Sequence, residues 1–188
     1  MYAPEFIGVY VIHTLLDLLL AFVLYQFYRD YGRRYLLYWA MSWAALSVRH
    51  TVGIFSNWAA LNLPPSDPIR VTASALSLSA ALLQVLWLLE GAYELLCARS
   101  VPSRTRRMLL LSALIVGPML AVISQTMPMG PRILSRMGLH SLVLGVAFVG
   151  AAVAIVMHGG WRKEVGRRVI IVAFLVYGIQ RLLGFVLT

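Results

Sequence analysis

Phe6-Ile7-Gly8-Val9-Tyr10-Val11-Ile12-His13-Thr14-Leu15-Leu16-Asp17-Leu18-Leu19-Leu20-Ala21-Phe22-Val23-Leu24-Tyr25-Gln26-Phe27-Tyr28 decides the fold class. It carries one formal charge, Asp17, in a run longer than the roughly 17 residues needed to cross a bilayer. Inside hydrocarbon the backbone must satisfy its own hydrogen bonds, so a run of this kind reads as a helix. The strict alternation of a membrane β-strand is absent from it.

Working outward, the same kind of run recurs along the chain. The reading gives six spanning helices, over about 6–28, 35–58, 69–97, 108–125, 133–157 and 169–187. The third is longer than a bilayer requires, which points to tilt. Arg29-Asp30-Tyr31-Gly32-Arg33-Arg34 is a short basic turn between the first two. Leu63-Pro64-Pro65-Ser66-Asp67-Pro68 breaks the chain, because each proline lacks a donor and restricts its predecessor. Ser100-Val101-Pro102-Ser103 and Met127-Pro128-Met129-Gly130-Pro131 do likewise, and His158-Gly159-Gly160 closes the fifth helix. The expected architecture is an all-α polytopic membrane bundle, a single transmembrane domain over 1–188.

Composition agrees. Apolar residues make up 61% of the 188 and charged residues 12%, roughly half the charge of a soluble domain. The single cysteine, Cys97, reads as a small apolar residue at a helix end. No basic region precedes the first apolar run, so it does not read as a cleavable signal peptide.

Charge orients the bundle. Arg29, Arg33 and Arg34, then Arg99, Arg104, Arg106 and Arg107, then Arg162, Lys163, Arg167 and Arg168 fall at the first, third and fifth connections. Only Arg70, Arg132 and Arg136 flank the second and fourth. Positive residues stay on the cytoplasmic side, which places the N-terminus outside. The net charge of +9 is thereby a topology signal and a contact with lipid head groups. Nucleic acid is not an expected partner. Six helices starting outside end outside, and Phe185-Val186-Leu187-Thr188 brings no polar tail. Two readings follow: a longer protein in which a seventh helix returns to the cytoplasm, and a complete six-helix protein.

Ionisable groups at bilayer depth face the bundle interior, where they find partners. Asp17 falls near the middle of the first helix. Arg49 and Arg181 fall roughly 4–5 Å outward of the middle of the second and sixth. An Asp17–Arg49 or Asp17–Arg181 ion pair is expected, with one arginine left over for a carbonyl cage or an anionic ligand. His13, His50 and His140 share this layer, and His13 stands one helical turn from Asp17, which would orient its imidazole. They are read as polar core groups in preference to metal or haem ligands, and no cofactor is expected. Deeper, Glu90 and Glu94 stand at i, i+4 with Trp87 on the same face. Their simplest partners are Arg29, Arg33, Arg34 or Arg99, and a proton relay is the alternative.

Ala73, Ser77 and Ala81 repeat at a spacing that lets helices approach closely, as an internal seam or a dimer seam. A second copy of the chain is therefore an expected partner, beside the bilayer. Gly145 and Ala152 thin the fifth helix similarly. The only lysine, Lys163, is in a connection, which excludes a retinal Schiff base inside the bundle. No nucleophile elbow, zinc-binding helix motif or phosphate-binding glycine loop is present, so no enzymatic activity is expected of the chain itself.

The stretch Tyr28-Arg29-Asp30-Tyr31-Gly32-Arg33-Arg34-Tyr35-Leu36-Leu37-Tyr38-Trp39-Ala40-Met41-Ser42-Trp43 resembles the basic first turn and second helix of multi-helix N-terminal sensor regions in bacterial histidine kinases and diguanylate cyclases. The resemblance covers about the first third of the chain. It implies a multi-pass protein of the bacterial inner membrane, working in two-component or related signal transduction. The expected function is a sensor or receptor module that binds a small apolar or amphiphilic ligand among Asp17, Arg49, His50 and Arg181, with His13 and His140 nearby. The competing readings are the substrate-binding subunit of a transporter and a lipid-acting enzyme using Glu90 and Glu94.

Overall fold

The computed structural model describes residues 4–64, 67–128, 130–131, 134, 138–159 and 165–186. For 4–7, 57, 60–61, 158–159 and 165–167 it describes the backbone alone. Its described elements are helices: α1 (Pro4–Tyr31), α2 (Arg34–Asn62), α3 (Pro68–Cys97), α4 (Ser103–Gln125), α5 (Leu139–Gly159) and α6 (Val165–Val186). Several residues used to read the sequence lie outside this set: Pro65, Ser66, Met129, Arg132, Arg136, Gly160, Arg162, Lys163, Leu187 and Thr188. So does most of the start expected for the fifth helix.

The helix ends follow local chemistry. Gly32 takes a positive φ of 65° and its N–H bonds to Tyr28 O at 2.8 Å, which lets the chain reverse between α1 and α2. The proline-rich break ends at Asp67, whose carboxylate accepts from Ile69 N at 2.8 Å with Pro68 in the first turn of α3. Ala98 caps α3 in the left-handed region, its N–H bonded to Glu94 O. The fourth helix starts at Ser103, a full turn before the expected 108, so Arg104, Arg106 and Arg107 are helical rather than part of a connection.

Five helices are long and apolar enough to cross a membrane: Gly8–Tyr31, Pro68–Cys97, Ser103–Gln125, Leu139–Met157 and Arg168–Val186. The second segment forms a helix of ample length but is not among them. Its tryptophans, serines, Arg49 and His50 dilute its apolar character. The packing shows why such a helix is tolerated. Seven of the ten residues 38–47 of α2 are buried, over more than half of the helix circumference. By contrast only 6% of the α1 span is buried. The middle of the polar helix is largely covered, and the apolar helices are largely exposed.

α2 packs on α1 and α3, α3 also meets α4 and α5, and α5 pairs with α6. Between apolar helices in lipid the hydrophobic effect adds little, so close approach and dispersion hold the bundle. Small residues make that approach possible. A Cβ on Gly117 would lie 2.3–2.8 Å from Ser79, including its backbone, which marks the α3–α4 crossing. Gly145 and Gly178 mark the α5–α6 crossing, where each would press a Cβ onto the other's carbonyl oxygen at 3.0–3.1 Å. Of the expected seam on α3, Ala73 and Ala81 are buried and Ser77 is half-buried. The core itself gathers Trp39, Leu88, Leu144, Ala147 and Phe148 from three helices, with Phe174 and Tyr177 of α6 packed against it.

Candidate functional site

The expected polar layer is assembled, but with different partners. Asp17 is buried on the narrow inward face of α1, one turn from the buried Ala21. Its Oδ2 lies 2.8 Å from Nδ1 of His50 on α2. Neither arginine pairs with it among the described residues. The physical reason is azimuth: Arg49 and His50 are successive residues, turned about a quarter of the helix apart. The one facing α1 is His50, while Arg49 points toward α5. His13, expected to be the imidazole that Asp17 orients, instead lies against His50, with ring centroids 5.4 Å apart, and is itself exposed. Tyr10 meets the His50 ring edge-on at 5.9 Å.

Across α2 the second half of the layer forms. Arg49 Nη1 approaches both ring nitrogens of the buried His140 on α5, with Nε2 at 2.6 Å. An arginine has no acceptor to offer, so the imidazole must accept, and this contact requires neutral His140. Arg181 on α6 donates to the Tyr177 hydroxyl one turn earlier and lies over the Tyr177 ring, 4.7 Å from its centroid. Arg181 acts electrostatically on both Arg49 and His140, so the two guanidiniums share one region. The Nε of Arg181 is buried without a hydrogen-bond partner. Asp17 is the only described carboxylate here, and it is engaged by His50.

A continuous stack of rings descends from this layer. Trp43 meets Tyr177 at 5.6 Å, Tyr177 meets Phe148 at 4.7 Å, and Phe148 meets Phe174 at 5.1 Å. Phe174 meets Trp39 at 5.2 Å, and Trp39 meets Tyr35 at 5.2 Å. All five contacts are inclined or edge-on, the favourable arrangement for ring quadrupoles. At the lower end Trp39 is seated in the notch left by Gly91, where a Cβ would lie 2.4 Å from its indole.

Gly91 follows Glu90, which is 3% exposed. The expected partners for Glu90 were arginines of the first connection or Arg99. The structure gives Arg106 instead, its Nε 3.6 Å from Glu90 Oε1 and its guanidinium 5.4 Å from the centre of the Tyr38 ring. Arg106 can reach because α4 begins early and carries it on its first turn against α3. Glu94 Oε2 is buried without a hydrogen-bond partner. Along α2, Trp39 and His50 are separated by about 16 Å of helix, so two polar clusters stand at two depths.

The sequence reading missed Tyr10, Tyr177 and Arg106. Tyr177 was signalled by its place four residues before Arg181 and Tyr10 by its place three before His13. Arg106 carried no local signal beyond its charge. Among the described residues no three of His, Cys, Asp and Glu converge as a metal site would require. Compared with known proteins, the chain matches no family model, no curated protein and no solved structure.

Proposed function

We propose that this chain is a membrane-embedded sensor module, inserted with its N-terminus outside in a bacterial inner membrane. It binds a small apolar or amphiphilic ligand at the layer of Asp17, His50, Arg49, His140 and Arg181, and passes a helix shift inward. In this reading α2 is a sixth span, shielded by its neighbours from the lipid that its polarity would otherwise oppose. The membrane setting is supported by five apolar helices whose outer faces carry exposed leucines, valines and phenylalanines.

One observation carries the sensing role. The outer layer and the Glu90–Arg106 contact are linked by an unbroken series of packed rings, Trp43, Tyr177, Phe148, Phe174 and Trp39. A rigid chain of this kind is what a change at one site needs to bias another. Tyr177 is joined to Trp39 through Phe148 and Phe174, and Trp39 is seated against Gly91 of α3 beside Glu90, which gives a displacement of Tyr177 a packed route toward the inner cluster. The resemblance of residues 28–43 to bacterial sensor regions points the same way.

Cys97 supplies the test. It is the chain's only cysteine, exposed at the end of α3, on the far side of the stack from the outer layer. A ligand that binds the layer should change the rate at which maleimide labels Cys97 in the purified protein. Phe148→Leu should uncouple that change while leaving binding in place. Ligand-dependent uptake into proteoliposomes with Cys97 reactivity unchanged would favour the transporter reading instead.

A further inference from the structure

The charges of the outer layer do not balance. Two guanidiniums, Arg49 and Arg181, lie within electrostatic reach of each other. The one described carboxylate, Asp17, is held by His50, although it lies close enough to act on Tyr177 as well. Arg49 is met by an imidazole and Arg181 by a phenol, both neutral acceptors. With His50 neutral the described layer carries one excess positive charge, and with His50 protonated it carries two. An uncompensated charge is costly at this depth. The buried Arg181 Nε still lacks an acceptor, and a guanidinium presents a fork of donors suited to a carboxylate or phosphate.

A largely apolar groove of about 600 Å³ adjoins this layer through Tyr177. It is lined along one face of α6 by Val169, Val172, Ala173, Val176 and Tyr177, with Gln180 at its upper end and Arg168 at its lower end. Tyr177 belongs to both features: its ring lines the groove and its hydroxyl accepts from Arg181. The groove runs about 12 Å from Tyr177 to Val169, enough for a medium-length alkyl chain. It opens sideways, where the bilayer lies if α6 spans it.

We infer that the ligand of this layer is an amphiphilic monoanion, its head group held by Arg181 and Arg49 and its alkyl chain laid along the α6 groove. This deepens the sensor reading and rests on it for the site, but not for the signal. The anion supplies the missing counter-charge and the acceptor for Arg181, and the chain enters laterally from the bilayer. A neutral amphiphile of the same length gains the groove alone and leaves the excess charge in place.

The experiment titrates decanoate, decanol and decylamine onto the purified full chain in a non-ionic detergent. Tryptophan fluorescence reports on Trp43 beside Tyr177, and thermal unfolding gives a second readout. Decanoate should act saturably and raise the melting temperature, with decanol and decylamine needing at least about tenfold higher concentration. Arg181→Gln should weaken decanoate binding by at least about tenfold, about 1.4 kcal/mol, while the exposed Arg107→Gln leaves it unchanged. Arg181→Lys keeps a point charge without the fork and should fall between. Should Arg181→Gln fail to fold, the wild-type series of three head groups and Arg181→Lys still decide. Equal potency of decanol and decanoate, or decanoate binding unchanged in both Arg181→Gln and Arg49→Gln, overturns the inference. Arg181-dependent decanoate binding with constant Cys97 reactivity supports the anion site and counts against sensing. A Cys97 response driven equally by decanol supports sensing and overturns the anion site.

Discussion

His50 and Asp17 join α2 to α1 through a hydrogen bond of 2.8 Å between Nδ1 and Oδ2. The side chains are 12% and 9% exposed, so water competes little for either partner. α1 is otherwise thinly packed, with 6% of its span buried. This contact is therefore a principal polar tie holding α1 to the bundle.

Asp17→Asn should destabilise the detergent-solubilised protein by about 1–3 kcal/mol, the usual consequence of weakening a buried hydrogen bond to a charged group. In that background His50→Gln should cost less than it does alone, with a coupling of about 0.5–3 kcal/mol. Asp17→Asn combined with Arg181→Gln should be additive to within about 0.5 kcal/mol. Thermal or denaturant unfolding of the singles and doubles measures this. Coupling to Arg181 and none to His50 would mean that the ion pair expected from depth alone had formed after all.

The notch at Gly91 predicts a second stability difference. Gly91→Ala would set a Cβ 2.4 Å from two indole atoms of Trp39 and 3.2 Å from Tyr35 O. Trp39 must then move, at a cost of about 1–3 kcal/mol for overpacking. Gly150→Ala, also mid-helix but with open space around it, should be neutral or slightly stabilising. Tryptophan emission should shift in the first variant and hold in the second. Identical behaviour of the two would remove Trp39 from its place beside Gly91.

Glu90 and Arg106 predict an asymmetry. Arg106→Gln leaves a carboxylate buried at 3% exposure without its cation. Glu90→Gln leaves an arginine that is one-third exposed and can turn to water. Arg106→Gln should therefore be the more destabilising single, because an uncompensated buried charge is the costlier residue of a broken pair. Adding Glu90→Gln to it should restore part of the loss. Equal costs for the two singles, measured by unfolding, would show that Glu90 is neutral in the folded protein.

The proposed orientation puts the α3–α4 connection inside and the α2–α3 connection outside. In a Cys97→Ser background, Asp67→Cys should be labelled by a membrane-impermeant maleimide added to intact spheroplasts, and Arg104→Cys should be labelled only after permeabilisation. The reverse pattern would invert the topology and move the polar layer to the cytoplasmic half.

The sequence alone was enough to read a helical chain, the breaks near Gly32 and the prolines at 64–68, and the residues out of place in an apolar setting. Those properties are local. A run such as 6–28 has one way to satisfy its backbone in hydrocarbon, and the cluster of prolines 64, 65 and 68 lacks the donors to carry one helix into the next, although Pro68 itself is tolerated in the first turn of α3. Depth was also legible, because rise per residue is fixed, and so Asp17, Arg49, His50 and His140 were assigned to one layer. Which side chain meets which is set by packing. Depth is one coordinate, and pairing needs the rotation of each helix about its axis, which is set by packing at Gly91, Gly117, Gly145 and Gly178. Rotation turned His50 toward Asp17 and Arg49 toward His140, although the two are neighbours in the chain. It likewise brought Arg106 to Glu90, across two helices whose own sequences contain no sign of the other.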